Sequence, residues 1–189
     1  MPQGALISWA LMMEGGVQVN AEGRRFHDET GGYSEASVHV LAQPGGVAWN
    51  VLDARLLALG RTFPDFVAAE AAGAVRHAVD LRALAALIGC DTARLAATLA
   101  GTRLAAPYGA IKVTGALFHT QGGLDIDARC RVLRDDGTPF PNLLAAGGAA
   151  RGVSGNAVWG YLSGNGLLSA VAGGYIAAAT AAQQLEGTP

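Results

Sequence analysis

The sequence predicts an α+β fold, and three observations carry that prediction. Short β-prone stretches, alternating or continuously apolar, occur at Val17-Gln18-Val19-Asn20, at Val47-Ala48-Trp49-Asn50-Val51-Leu52-Asp53 and at Ile111-Lys112-Val113-Thr114. Between them stand two helical patterns with N-caps, Leu81–Ile88 behind Asp80 and residues 92–100 behind Asp91. The stretch 152–185 carries no charged residue, and it contains one long helical pattern that opens at Ser163 or Asn165 and runs to about Gln184.

With 189 residues, 51% of them hydrophobic and 15% charged, the chain can bury the core of one average domain or two small ones. A formal charge of -2, with Arg24-Arg25 as the only local basic pair, excludes a nucleic-acid-binding surface. Cys90 and Cys130 are too few and too far apart for a disulfide framework or a metal site. They read as buried or unreactive thiols in a reducing, cytoplasmic compartment. The apolar run 5–13 follows no positively charged segment and is too short to span a bilayer. The run 152–185 is long enough, but it is rich in Gly, Ala and Ser and contains Asn156, Asn165, Gln183 and Gln184. A buried helix packed through small residues is therefore expected there, with no membrane span.

Taken in order, residues 1–27 read as strands. These are Ala5-Leu6-Ile7-Ser8-Trp9-Ala10-Leu11, a Gly15-Gly16 turn, Val17 to Asn20, an Ala21-Glu22-Gly23 turn, and Arg24-Arg25-Phe26. Residues 34–100 change to helix and short strand, with Val47–Asp53 as a buried strand and 63–72 as a short helix. Gly89 ends the helix that Asp80 opens, so Ile88-Gly89-Cys90-Asp91 joins a helical hairpin. Strand character returns at Ile111 to Thr114, at 117–120 and at Leu124-Asp125-Ile126-Asp127. A hairpin follows from Arg131-Val132-Leu133, the Asp135-Asp136-Gly137 turn and Pro139-Phe140-Pro141. Leu143-Leu144-Ala145-Ala146 reads as a small buried strand before the last helix.

Three blocks then resemble, in order, the flavoprotein family of fumarate reductases, succinate dehydrogenases and 3-ketosteroid dehydrogenases. Val19-Asn20-Ala21-Glu22-Gly23-Arg24-Arg25-Phe26-His27-Asp28-Glu29 is similar to the segment that leaves the FAD domain of those enzymes for a mobile capping domain. Residues 80–99 resemble the Leu-x-x-Leu-Ala-x-x-x-Gly-x-Asp hairpin of that cap. The third block resembles the return into the FAD domain: Pro107-Tyr108-Gly109-Ala110-Ile111-Lys112-Val113, His119-Thr120-Gln121-Gly122-Gly123-Leu124, Asn142-Leu143-Leu144-Ala145-Ala146-Gly147-Gly148 and Gly164-Asn165-Gly166-Leu167-Leu168.

The resemblance implies a partial FAD-binding domain of strands, hairpin and long C-terminal helix in residues 1–30 and 104–189, with an inserted α+β capping (substrate) domain in 31–103. FAD is the implied cofactor and a small molecule the implied substrate. The family's strand, Gly-x-Gly-x-x-Gly turn and helix N-terminus for the FAD pyrophosphate have no counterpart in these residues. A fragment is therefore expected, weak or lacking in FAD binding and inactive alone, with the missing N-terminal half supplied in cis or in trans. The sheet edge that such a gap exposes leaves homo-oligomerisation open.

Glycine pairs let a backbone approach a flat ligand because no Cβ intervenes, and a helix N-terminus presents free N–H groups and partial positive charge. On that ground Gly122, Gly123, Gly147, Gly148, Asn165, Gly166 and Leu167 are the flavin-approach candidates, with ordinary turns and close packing as the plain alternative. Three departures narrow the resemblance. Gly148 stands where the family usually has Glu. No arginine follows Arg151, so the Asn-Arg dipeptide that holds a substrate carboxylate in fumarate-type members is missing. Tyr33 occupies the place of their cap arginine proton donor.

Tyr33 instead resembles the cap tyrosine of the 3-ketosteroid dehydrogenases, whose second tyrosine would align with Gly109, beside Tyr108. His119 keeps one member of a His-His-Thr or His-Tyr-Thr element that lines the fumarate-type site. Tyr33 and His119 are thus the catalytic candidates, against a surface or hinge tyrosine and a core histidine. Glu29 reads as structural, and His27, His39 and His77 share no metal-ligand spacing. Trp159 and Tyr161 could wall a pocket or pack a core, and Ser154 lacks the strand and elbow of a hydrolase nucleophile. The implied reaction is hydride transfer between flavin and a carbon next to a carbonyl or carboxylate. The alternative is a non-catalytic binding or assembly module that keeps the cap fold without cofactor.

Overall fold

A computed structural model describes residues 4–117 and 120–187, which divide into two compact units, Met1–Ala116 and Leu117–Pro189. The first contains helices α1 (Ala10–Met13), α2 (Tyr33–Leu41), α3 (Ala54–Gly60), α4 (Pro64–Ala71), α5 (Leu81–Ile88) and α6 (Thr92–Leu99). Its strands β1 (Val17–Val19), β2 (Val47–Asp53), β3 (Val75–Ala78) and β4 (Tyr108–Thr114) form one antiparallel sheet in the order β1-β2-β4-β3. The second contains a hairpin of β5 (Arg131–Leu133) and β6 (Pro139–Leu144) and the long helix α7 (Asn165–Glu186).

β2 reads as a nearly continuous apolar run because it is buried on both faces. Trp49 and Val51 join Val17, Val19 and Ala110 in a core closed by Leu84, Ile88, Leu95 and Leu99 of the α5–α6 hairpin. Leu52 and Ile111 join an opposite core with Leu11, Leu56 and Phe66, all fully buried. Each such side chain contributes about 1.5–3 kcal/mol. Gly109 lies between these layers, and a Cβ there would meet Leu57 Cδ2 at 2.6 Å. The helix starts follow local chemistry: Oδ1 of Asp53, Asp80 and Asp91 accepts the amide N–H of Leu56, Ala83 and Arg94 at 2.9, 2.7 and 2.8 Å. Gly89 ends α5 in the left-handed conformation with φ 87°.

A buried polar cluster ties the chain between β1 and α2 to the sheet. The Glu29 carboxylate accepts the Gln18 amide N–H at 2.8 Å and Arg25 Nε at 3.1 Å, and it also pairs with Arg25 Nη2. Gln18 Nε2 donates to Asn50 Oδ1 across the β1–β2 register at 2.8 Å. His27 Nε2 lies 2.7 Å from Gln18 Oε1, and the His27 ring stacks on His39 of α2. No buried side-chain nitrogen or oxygen of this cluster lacks a hydrogen-bond partner, as burial requires.

In the second unit Val132, Ala145 and Ala150 form a small core with Ile126 and Phe140. α7 is tied to the loop before β5 by Thr180 Oγ1, which donates to the Arg129 carbonyl at 2.8 Å, and by Cys130 Sγ, 3.4 Å from the Gly173 carbonyl. Close backbone packing fixes the other contact: a Cβ on Gly173 would sit 3.0 Å from Ala146 Cβ.

Several elements differ from the expectations. Residues 5–9 form no strand, and Ala10–Met13 is a helical turn instead. Ala, Leu and Met favour helix, and the turn drives Leu11 and Met12 into the core. Arg24 closes the turn on Asn20 without starting a strand. Residues 124–127 make only isolated bridges, Leu124 to Ala150 and Ile126 to Val132. The expected buried strand at 143–146 is only partly a strand: Leu143 and Leu144 end β6, with Leu143 exposed, and the buried Ala145 lies beyond it. α7 is not a buried helix: Asn165 and Thr180 are its only buried residues, while Leu167, Val171 and Tyr175 are more than 70% exposed.

The expected strand at 117–120 lies partly outside the described residues. α2, α3 and β3 were not assigned individually from the sequence, because their apolar positions are set by contacts with the sheet. β1 and β4 both hydrogen-bond to β2, which places 1–30 and 104–116 in one unit with the intervening residues. No helix among the described residues is long and apolar enough to cross a membrane.

Replacing Glu29 by Ala is expected to lower the unfolding free energy by about 2–3 kcal/mol, since the Gln18 amide and the Arg25 guanidinium lose their acceptor. Denaturant unfolding reads the change. Burial holds the His27 imidazole below its ordinary range, against the pull of Glu29 and the Asp28 carbonyl, while His39 and Arg25 push it the same way as burial. Between the unfolded and the lowered folded value the unfolded chain binds more protons, so stability is present above about pH 6.5 and lost as the pH falls below it. Thermal unfolding followed from about pH 7.5 to about pH 5 is expected to show this slope, and His27→Gln is expected to flatten it.

Candidate functional site

The second unit brings both glycine pairs onto one backbone crossing. The Leu124 N–H donates to the Ala149 carbonyl at 2.9 Å, and the Arg151 N–H donates back to the Leu124 carbonyl at 3.0 Å. Gly122-Gly123 therefore runs beside the chain that follows Gly147-Gly148. The glycines serve two different purposes there. A Cβ on Gly123 would overlap the Ala150 carbonyl, and one on Gly147, which has φ 58°, would press on Ala170 Cβ of α7 at 3.1 Å. At Gly122, Gly148 and Gly166 a Cβ would meet nothing within 4 Å. Gly123 and Gly147 thus permit internal packing, while the other three leave open backbone.

The start of α7 is organised by a loop. Gly164 takes the left-handed conformation with φ 84°, and no side chain caps the helix. The Asn165 N–H donates to the Leu162 carbonyl at 3.1 Å and the Leu168 N–H to the Gly164 carbonyl at 3.0 Å. The amides of Gly166 and Leu167 lie between them in the first turn, which has no acceptor within the helix. Asn165 does not face outward: it is buried, with its Nδ2 donating to Ser154 Oγ. Leu167 is 77% exposed beside the open turn. Ala170, which packs on Gly147, follows Asn165 by about 7.5 Å of helix at 1.5 Å per residue.

The catalytic candidates are placed less fully. Tyr33 is the first residue of α2, after Gly32 with φ 101°, and is 43% exposed in the first unit. His119 lies outside the described residues. Trp159 is 79% exposed and so packs no core within this unit, and Tyr161 is partly buried. Arg151, the last arginine of the chain, pairs with Asp125 at 2.9 Å on an exposed surface. Glu29 is structural, as its sequence position suggests. Burial pushes the Cys90 thiol up, beside the Gly23 turn, consistent with an unreactive group. Ser154 is the residue that sequence reasoning set aside. Its partner stands eleven positions away across an irregular loop, so no local pattern announces it.

These residues can be tested against a flavin. The ring needs backbone free of side chains and N–H donors toward its N1 and C2 oxygen. Gly148, Gly166 and the uncapped first turn of α7 meet both needs, and Leu167 adds an apolar neighbour. Gly123, Gly147 and Asn165 fit as the supports behind that surface.

The family model described as an FAD binding domain matches residues 1–167. A probable fumarate reductase of Shewanella frigidimarina is 31% identical over 196 residues, covering 94% of this chain and 33% of its own length. An NADH:fumarate oxidoreductase of Klebsiella pneumoniae is 28% identical, over 96% of this chain and 21% of its length. Among solved structures, the open conformation of a flavocytochrome c3 fumarate reductase superposes with a TM-score of 0.71 at 29% identity, covering 95% of this chain and 34% of that one. The 3-ketosteroid delta1-dehydrogenase of Sterolibacterium denitrificans superposes with a TM-score of 0.65 at 25% identity, covering 89% and 39%. The chain spans about a third or less of the length of the curated relatives it matches.

The two classes of glycine are separable by folding. Gly123→Ala is expected to cost about 1–3 kcal/mol through backbone overlap, whereas Gly148→Ala is expected to unfold within about 0.5 kcal/mol of the unaltered protein. Denaturant titrations of the two variants side by side make the comparison.

Proposed function

The chain belongs to the FAD binding domain family, and from that premise we propose that it forms the flavin-ring side of an oxidoreductase acting on a carbon next to a carbonyl or carboxylate. The observation that carries this reading is the open surface of Gly148 and Gly166 at the uncapped start of α7. When bound, FAD supplies hydride transfer, in which a carbon-carbon double bond of the substrate is made or removed. The residues of this chain do the rest. The first-turn amides of Gly166 and Leu167 stabilise negative charge, Gly122 and Gly148 allow close approach, and residues 31–103 act as the substrate cap. Tyr33 moves a proton to or from the substrate carbon, and His119 hydrogen-bonds a substrate oxygen.

The missing arginines favour a ketone-like activating group over a dicarboxylate. Tyr33 holds the cap position and Arg151 is spent on Asp125, which leaves no guanidinium after it in the chain for a second carboxylate. A Gly-x-Gly-x-x-Gly unit outside these residues, in the same polypeptide or in another, holds the pyrophosphate end of FAD. Without it the chain binds FAD weakly and turns over no substrate. The second reading is an assembly module that keeps the fold without cofactor. It draws support from Gly123 and Gly147, whose missing side chains are already required by internal packing.

FAD uptake, followed by visible flavin absorbance with and without a Gly-x-Gly-x-x-Gly-bearing half, separates the two. Uptake is expected in the combined protein, with Gly148→Ala weakening it by about tenfold, or about 1.4 kcal/mol; a colourless combination sinks the flavin reading. In the combined protein Tyr33→Phe is expected to lower kcat by about a hundredfold with flavin content unchanged. Unchanged turnover removes Tyr33 from the proton path.

A further inference from the structure

We propose that Ser154 is a positioning residue of the cofactor surface, one that sets the direction of the free amides in the first turn of α7. The inference rests on the flavin reading above and assigns a role to a residue outside the open glycine surface.

The loop before α7 has an inverted burial pattern. Its apolar residues Val153, Trp159 and Leu162 are 73%, 79% and 64% exposed, whereas the polar Ser154 and Asn165 are 9% and 4% exposed. Polar groups are held in such places by what they fix in space. Ser154 Oγ accepts the Leu162 N–H at 3.2 Å and also accepts Asn165 Nδ2. At Gly160 a Cβ would strike the Ser154 carbonyl, so the loop crosses itself at this residue. The chain at 154, 160, 162 and 165 therefore converges on one serine, and the last of these positions is the first residue of α7. The Asn165 backbone is held a second time by its N–H to the Leu162 carbonyl.

The hydroxyl is not closed on itself. An alcohol has two lone pairs and one hydrogen. Both lone pairs are engaged by donors, and the hydrogen has no acceptor among the described residues. The same geometry excludes a nucleophilic role, because both groups bonded to Oγ are donors and neither is a base.

The test uses Ser154→Ala and Ser154→Thr in the chain alone and in the chain combined with a Gly-x-Gly-x-x-Gly-bearing half and FAD. In the chain alone, amide hydrogen exchange at Leu162, Asn165 and Leu168, whose N–H groups are hydrogen-bonded at this turn, is expected to quicken by about tenfold or more in S154A and to return in S154T. In the combined protein, S154A is expected to lose about tenfold in the affinity for reduced relative to oxidised FAD, a potential lower by about 30 mV for a two-electron couple, with S154T restoring it. FAD bound at an unchanged potential in S154A overturns the inference and leaves the flavin reading standing. No FAD uptake by the unaltered combination overturns both. Should S154A lose its cooperative unfolding transition, Asn165→Asp carries the test: it adds negative charge at the same turn and is expected to lower the potential, and an unchanged potential overturns the inference.

Discussion

The antiparallel register between β2 and β4, continuous from Val47 opposite Thr114 to Asp53 opposite Tyr108, is the constraint on which the first unit depends. It brings together segments that are far apart in sequence. Because both strands are buried on two faces, the pairing supports one core under the α5–α6 hairpin and another under α1, α3 and α4. A slip of one residue would send Trp49 and Leu52 to the wrong layers. Gly109 shows how tight the fit is, since Leu57 occupies the space a side chain would need. The Glu29 cluster depends on the neighbouring β1–β2 pairing: Gln18 lies opposite Asn50 in that register, and Glu29 and His27 both bond to Gln18.

The second unit works on a smaller scale. Its core is a few residues around the β5–β6 hairpin, and α7 is held mainly by Thr180, Cys130 and small-residue contacts at Gly147 and Gly173. Small residues on one side of α7 let the backbone come close, while Leu167, Val171 and Tyr175 remain outside that contact. The chemistry proposed for this unit needs little more than backbone. Glycines leave room, and a helix start offers amides whose direction is fixed by two buried polar side chains.

Much of this was legible in local sequence. Asp80, Gly89 and Asp91 bound two helices because capping depends on neighbours within a turn. β2 and the 131–141 hairpin were equally plain, from a continuous apolar run and an Asp-Gly turn. The apolar run at 5–11 was not legible, since a short run of Ala, Leu and Ile suits strand and helix alike until its neighbours choose. The candidate site was legible as a set of glycines around a helix start. It was not legible which glycines leave open backbone: Gly122 and Gly123 are adjacent and chemically identical, yet one is open and the other packs on Ala150.

By itself the sequence determined the family, the helix caps and the main strands. Those features are carried by residue identity and by spacings of a few positions, which side chains and backbone read locally. The tertiary structure alone decided that β1 and β4 join a single sheet on either side of β2, and that α7 is largely exposed in these residues. It also decided that Ser154 and Asn165 share a buried hydrogen bond. Each of these depends on groups brought together from distant positions or across an irregular loop, and burial and hydrogen bonding at long sequence separation leave no periodic trace in the chain.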